Sequence, residues 1–208
     1  MTGPAIPPIP AATAIVLAGG RSTRFGRDKL AEPLRGLPLL DHAVAAVATV
    51  ATEVLVLIPP VADLPPLRAV RAGAVPIVVV RDPEPFGGPL VAVLAGLERV
   101  REPFALVVGG DMPTLDPAVL GAMLRRLDAS GSEAVVLAYR GRRQPLPAAF
   151  RVGSATPAAR RLLGSGVRSL HALNEALRTL ELAESEWRPL DPAAATLRDI
   201  DRPEDLPA

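Results

Sequence analysis

The 208-residue chain contains no cysteine, which removes disulfide frameworks, thiolate metal centres, cysteine nucleophiles and iron–sulfur clusters together. Its two histidines, His42 and His171, are too few for a multi-histidine zinc site. Aromatic residues make up 3% of the chain, leaving little on which to stack bases, and a formal charge of +1 gives no footprint for DNA or RNA. The first charged residue is Arg21, so no basic segment precedes the opening apolar run as a signal peptide requires. The most apolar stretch, residues 43–62, is broken by Glu53 and by Pro59-Pro60 and is too short on either side to span a bilayer. These absences lead to the expectation of a cytoplasmic protein with neither nucleic-acid nor membrane partners.

Lysine is nearly absent as well. Of the 23 basic residues only Lys29 is a lysine; the others are arginine. An ammonium is a compact point charge, whereas guanidinium is a broad planar fork. A position that keeps lysine in such a chain is a candidate for a tight site needing a point charge, with a chance surface lysine as the alternative. What is present is otherwise ordinary: 49% hydrophobic and 22% charged residues, a globular composition long enough to bury a core without staples.

Residues 1–12 are proline-rich and read as a flexible tail. Apolar runs of strand length then alternate with helical patterns. Strands are expected at 13–18, 53–58, 76–81, 104–109 and 133–139, and helices at 38–51, 88–100 and 116–127. This rhythm implies a mostly parallel sheet with helices on both faces. After Arg140 the pattern loosens: short strands at 148–151, 179–181 and 197–201, and helices at 155–163 and 169–177. One domain over 13–208 is the simplest division, with a nucleotide-binding half (13–139) and a second half (140–208) that extends the same sheet.

The densest chemical signal is LAGGRSTRFGRDKL at residues 17–30. It begins at the carboxyl end of the first strand, where open α/β sheets bind ligands. Gly19 and Gly20 let the backbone approach a base or phosphate. Arg21, Arg24, Arg27 and Lys29 place four cations within nine residues, joined by the hydroxyls of Ser22 and Thr23. Amides, hydroxyls and cations converging on one loop suit a polyphosphate, although basic glycine-rich turns also occur without ligands. Neither GxxxxGK[ST] nor GxGxxG is present.

Three further pieces fall at strand ends. GGDMP at 109–113 carries Asp111, a hard carboxylate of the kind Mg²⁺ takes beside phosphates, or else the start of an Asx-type turn. Asp82 follows the third strand, and Gly88 opens a helix whose amino end could favour an anion; Asp82 could bond a base or ribose, or cap its turn. DIDRPEDL at 199–206 places Asp199 and Asp201 on one side of an expected strand. They are either a second carboxylate pair near a metal or solvated charges. Asp41, His42 and His171 lie in helical patterns and read as structural.

Together these segments resemble the nucleotidyltransferase superfamily, with its GT-A-like Rossmann sheet in three layers. Within it the chain looks most like the molybdenum cofactor guanylyltransferases. The resemblance rests on LAGGRSTRFGRDKL, GGPLVAVLAGL (87–97), GDMPTL (110–115), QPLPAAFR (144–151) and DIDRPEDL, and so covers nearly the whole chain in order. It implies that the backbone of Leu17, Ala18 and Gly19 meets the base, that Gly20, Arg21, Ser22 and Gly88 complete the nucleotide site, and that Lys29 meets the phosphates. Asp82 then lies near the guanosine, and Asp111 holds Mg²⁺ with Asp201 as a second candidate ligand. Lys29, Asp111 and Arg24 form the implied catalytic set, with Arg24 and Arg21 on the departing pyrophosphate. The implied substrates are GTP and a molybdopterin-type acceptor, with a molybdoenzyme or accessory factor receiving the product. The alternatives are a cytidylyltransferase for the same cofactor, favoured by the acidic terminal motif, a sugar- or metabolite-phosphate nucleotidyltransferase, and a nucleotide-binding regulator without turnover.

Overall fold

Strand β1 (Ala12–Leu17) is a continuous apolar run buried from Ala12 to Val16, as a central strand covered on both faces must be. The computed structural model describes residues 7–19, 29–61, 67, 75–82, 87–200 and 202–205. In chain order there follow β2 (Pro33–Leu34), β3 (Leu37–Pro38), α1 (Leu39–Val47), β4 (Glu53–Ile58), β5 (Ile77–Arg81), α2 (Pro89–Leu97) and β6 (Phe104–Gly109). The remainder comprises α3 (Pro117–Ser130), β7 (Ala134–Tyr139), β8 (Arg142–Arg151), α4 (Val152–Gly164), α5 (Leu170–Ala176), β9 (Thr179–Leu182) and α6 (Glu184–Trp187).

Seven strands form one sheet in the order β5-β4-β1-β6-β8-β7-β9. β8 runs antiparallel to both its neighbours, and the other pairings are parallel. The alternation of side chains along β1 and its neighbours splits the core into two layers. Ala14, Val16, Val54, Val56, Leu106 and Val108 pack with α1 and α3. Ile15, Leu55, Leu57, Ala105 and Val107 face α2, α4 and α5. The result is the expected α/β architecture of three layers, helices on both faces of a mostly parallel sheet.

The helix ends follow local chemistry. α3 starts where the Asp116 carboxylate accepts from the Ala118 amide at 2.7 Å with Pro117 in the first turn, and it stops at Gly131 in the left-handed region. α2 starts after Gly88, whose φ of +91° few other residues tolerate. Among the described residues no helix is long and apolar enough to cross a membrane.

Three sequence expectations need correction. The expected strand at 148–151 is the ten-residue β8, which passes through Pro145 and Pro147. Its register against β7 shifts between Val136 and Ala138, so the prolines, which lack amide protons, fall where the ladder is irregular. The expected strand at 197–201 is not formed over the described residues. Ala195–Leu197 is a 3-10 turn instead, and 198–200 has no regular structure. The expected loose tail also reaches too far: Ala12 already belongs to β1, and Ile9 packs on the core beside Gly121.

Phe150 is fully buried in the layer facing α4 and α5. Phe150→Ala is expected to cost about 3–5 kcal/mol by loss of transfer energy and a residual cavity. Urea unfolding checks this, and a loss below about 1 kcal/mol would contradict the packing described.

Candidate active site at the switch between β1 and β6

The chain leaves β1 toward β4 and β5 on one side and returns to β6 on the other. The carboxyl ends of β1 and β6 therefore flank a topological switch point, the crevice in which open α/β sheets place ligands. Leu17 pairs with Gly109 in parallel register. The Gly110 amide donates to the Leu17 carbonyl at 2.9 Å, and the Ala18 amide donates to Leu57 at 2.8 Å. Both loops thus leave the sheet side by side.

Lys29 reaches this crevice by local folding. Residues Lys29–Ala31 form a 3-10 turn, and the Glu32 amide donates to the Lys29 carbonyl at 3.1 Å. The following β2–β3 hairpin turns at Arg35 and Gly36, both with positive φ, the geometry of a tight two-residue hairpin loop. His42 Nε2 lies 2.8 Å from the Leu34 carbonyl and ties this hairpin to α1, a structural role as expected. Leu30 is buried in the core formed with α1, and its side chain lies beside Gly110.

Asp111 meets it from β6. Lys29 Nζ donates to Asp111 Oδ2 at 2.6 Å, and both side chains are partly exposed, at 16% and 27%. A Cβ on Gly109 would fall onto Asp111 Oδ1, so the glycine at the strand end is what lets the carboxylate fold back over the sheet edge. The spacing of 82 residues between the lysine and the aspartate in the chain collapses to one hydrogen bond.

The other segments arrive at the same edge. Asp82 follows β5 and its amide donates to the Ile58 carbonyl at 2.8 Å. β5 lies two strands from β1, which puts Asp82 about 10 Å across the edge from Leu17. Gly88 opens α2 there. It is crowded by Arg168, whose guanidinium donates to the Gly87 carbonyl at 2.9 Å and whose own carbonyl accepts from the Leu90 amide at 3.3 Å. Sequence reasoning passed over Arg168, because one loop arginine carries no signal in a chain that uses arginine almost everywhere.

The C-terminal segment packs directly on the Asp111 loop. The Ile200 amide donates to the Asp111 carbonyl at 3.0 Å, and Ile200 is buried against Leu34 and Leu39. Asp199 is therefore adjacent to Asp111 in the backbone pairing. Thr114 Oγ1 donates to Ala195 and the Asp116 amide donates to Thr196 Oγ1, at 2.7 and 3.0 Å. The buried Asp191 carboxylate accepts from the amides of Ala195 and Thr196 at 3.0 and 2.7 Å. Burial acts to raise its pKa, but those two amides, the Thr196 hydroxyl and the charge of Arg188 together outweigh it, and the net direction is below the ordinary aspartate value. Asp191 and its partner Thr196 were also missed; no motif marks a carboxylate that serves the backbone.

Of the sequence-derived site residues, Leu17, Ala18, Gly19, Lys29, Asp82, Gly88 and Asp111 share this edge. Gly20, Arg21, Ser22, Arg24 and Asp201 lie outside the described residues, as do Thr23 and Arg27. Among the described residues no group of three or more His, Asp or Glu side chains converges as a ready-made metal cage.

With this geometry in place, the relatives are informative. The MobA-like NTP transferase domain model matches residues 14–181. The chain belongs to that family. A protein of Chloroflexus aggregans named "Probable molybdenum cofactor guanylyltransferase" is 35% identical over 197 residues, covering 92% of this chain and 90% of the relative. One of Mycobacterium tuberculosis with the same name is 35% identical over 181 residues, covering 85% of each. Among solved structures, molybdopterin-guanine dinucleotide biosynthesis protein A of Archaeoglobus fulgidus superposes with a TM-score of 0.75 at 19% identity, over 93% of this chain and 94% of that one. The 2-C-methyl-D-erythritol 4-phosphate cytidylyltransferase of Thermus thermophilus gives 0.66 at 21% identity, over 92% and 94%. These two likenesses bear on the fold.

Because the Asp191 pKa is lowered in the folded protein, its contribution to stability is full above the unfolded value of about 3.9 and is lost as pH falls through the lower folded value. Asp191→Asn should therefore destabilise the protein at pH 7, and the gap to wild type should narrow near pH 3. Urea midpoints at both pH values test this; a gap independent of pH would contradict the ionised, amide-held carboxylate.

Proposed function

We propose that this protein transfers the guanylyl group of GTP to the terminal phosphate of molybdopterin, releasing pyrophosphate and giving the guanine dinucleotide form of the cofactor. The observation that carries the reading is the Lys29–Asp111 pair at 2.6 Å at the switch point. It occurs in a family member 35% identical, across 92% of its length, to a relative named for that activity. The nucleotide is assigned to the half spanning 13–139 and the acceptor to 140–208, in a cytoplasmic setting, with a molybdoenzyme or accessory factor taking the product.

The residues fit Mg²⁺. Asp111 presents a hard carboxylate with no convergent cage among the described residues, and the ammonium seated on it marks a place where positive charge is accommodated. Mg²⁺ is held by one or two carboxylates and completes its octahedron with phosphate oxygens and water. Asp111 would hold it, with Asp201 as the second candidate. When bound, the ion would neutralise charge on the α-phosphate and on the departing pyrophosphate.

The protein's own residues supply positioning and electrostatics. An anionic oxygen of the acceptor phosphate forms the new bond to the α-phosphorus. The α–β bridging P–O bond breaks, and its electron pair leaves on pyrophosphate. The acceptor is already ionised, so no general base is required. Lys29 would exchange the Asp111 carboxylate for an α-phosphate oxygen, and Arg24 and Arg21 would meet the pyrophosphate. The backbone of Leu17, Ala18 and Gly19, continued through Gly20 and Ser22, would line the base. Among the described residues Pro59 is the nearest neighbour of a Cβ placed on Gly19, at 3.8 Å, so those residues do not demand glycine there. A purine edge would. Asp82 would meet the guanosine across the sheet edge, and Gly88 would complete the pocket.

Asp111→Ala should lower guanylyl transfer by roughly 10²–10³-fold, the scale of losing one preorganised charge contact. Near-normal turnover would contradict its metal role. Lys29→Arg should cost at least roughly tenfold despite keeping the charge, because a planar fork does not replace a point charge; full activity would return Lys29 to a surface role. The reading as a whole is tested by pyrophosphate release from each NTP with molybdopterin. Release with GTP is expected. Preference for CTP would overturn the guanine assignment, and GTP binding without release from any acceptor would favour a regulator.

A further inference from the structure

The loop that presents Asp111, residues 110–116, has no helix or strand of its own; beyond the bond of Gly110 to Leu17 and the turn of Met112 onto Gly109, it is bonded to the segment 191–200. Three hydrogen bonds join them: Ile200 N to Asp111 O, Thr114 Oγ1 to Ala195 O, and Asp116 N to Thr196 Oγ1. The segment is itself held by one side chain. Asp191 is buried and receives the Ala195 and Thr196 amides on its two oxygens. Just before these two residues lies Ala194, a non-glycine residue in the left-handed region at φ +50°. That conformation costs about 1 kcal/mol or more and persists only where neighbours hold it.

The far end of the segment is fixed by different means. Trp187 is fully buried and its Nε1 donates to the Ala138 carbonyl of β7 at 3.0 Å, while the Asp191 amide donates to the Trp187 carbonyl at 3.2 Å. A continuous path of hydrogen bonds thus runs from the β7 end of the sheet, through Asp191 and Thr196, to the loop that carries the metal-site carboxylate. Thr196 is itself fully buried, so its hydroxyl has no water to replace Asp116 with.

We propose that Asp191 is a positioning residue for the metal site. Through Thr196 it sets the main chain of the 110–116 loop and so the aim of the Asp111 carboxylate. This rests on Asp111 being the Mg²⁺ ligand of the proposed reaction. Asp191 touches neither nucleotide nor metal in this account.

The test is Mn²⁺ binding to the GTP-saturated full-length protein, followed by electron paramagnetic resonance of the free ion. Asp191→Asn keeps one acceptor oxygen and loses the other. Thr196→Val keeps the shape and loses the hydroxyl, and Thr196→Ser keeps the hydroxyl. Asp191→Asn and Thr196→Val should weaken Mn²⁺ by roughly tenfold, the scale of losing an outer partner of a metal ligand, and Thr196→Ser should stay within about twofold of wild type. Leu173→Ala, in the buried layer on the opposite face of the sheet, should lower the unfolding temperature and leave Mn²⁺ affinity unchanged. Unchanged affinity in folded Asp191→Asn or Thr196→Val protein would overturn the proposal, as would an equal loss in Leu173→Ala. If another NTP binds in preference to GTP, the same titration with that NTP still decides the positioning role, while the guanine assignment alone fails. A wild-type protein that takes up no Mn²⁺ with any NTP would overturn both.

Discussion

Leu17 and Gly109 end adjacent parallel strands, and the Gly110 amide bonded to the Leu17 carbonyl locks the two strand ends in register. The rest of the site depends on that pairing. It lets a lysine from the 3-10 turn at Lys29–Ala31 and an aspartate from the turn after β6 meet at 2.6 Å at the edge of the sheet. A shift of one residue in β6 would turn its buried side chains to the other face, because side chains alternate along a strand, and would carry the Asp111 turn out of reach of Lys29. The heavy burial of β1 and β6 opposes such a shift.

The pair also has a consequence for binding order. A carboxylate occupied by an ammonium is a poor solitary cation site, and no further cage of carboxylates or histidines gathers among the described residues. Phosphate oxygens would supply what the protein lacks, drawing Lys29 to themselves and leaving Asp111 for the ion. On the proposed function, metal and nucleotide would arrive together, as Mg²⁺ accompanies phosphates. The C-terminal segment meets the Asp111 loop at the Asp111 carbonyl, the Thr114 hydroxyl and the Asp116 amide.

The sheet and its two helical layers were legible in the sequence because the first five apolar runs are short, continuous and punctuated by Gly, Pro or charge. The strands expected at 53–58 and 104–109 agree with β4 and β6 to the residue. β8 was read too short because Pro145 and Pro147 argue against a strand, and only the irregular pairing with β7 accommodates them. The strand expected at 197–201 failed for a different reason. Of its described residues only Ile200 is buried, the amides of Leu197 and Arg198 close a local turn onto Ala194 and Ala195, and the Ile200 amide bonds the Asp111 carbonyl. Lys29 and Asp111, which the structure brings together, were singled out by their strand-end motifs and by the rarity of lysine. Asp191, Thr196 and Arg168 escaped because they act on backbone groups, and backbone partners leave no trace in residue type or spacing.

A crystal structure with a non-hydrolysable GTP analogue and Mg²⁺ tests the central claim most directly. The account requires Asp111 within about 2.0–2.1 Å of the ion and Lys29 Nζ moved onto a phosphate oxygen. An analogue bound elsewhere, with the lysine still seated on the aspartate, would contradict it.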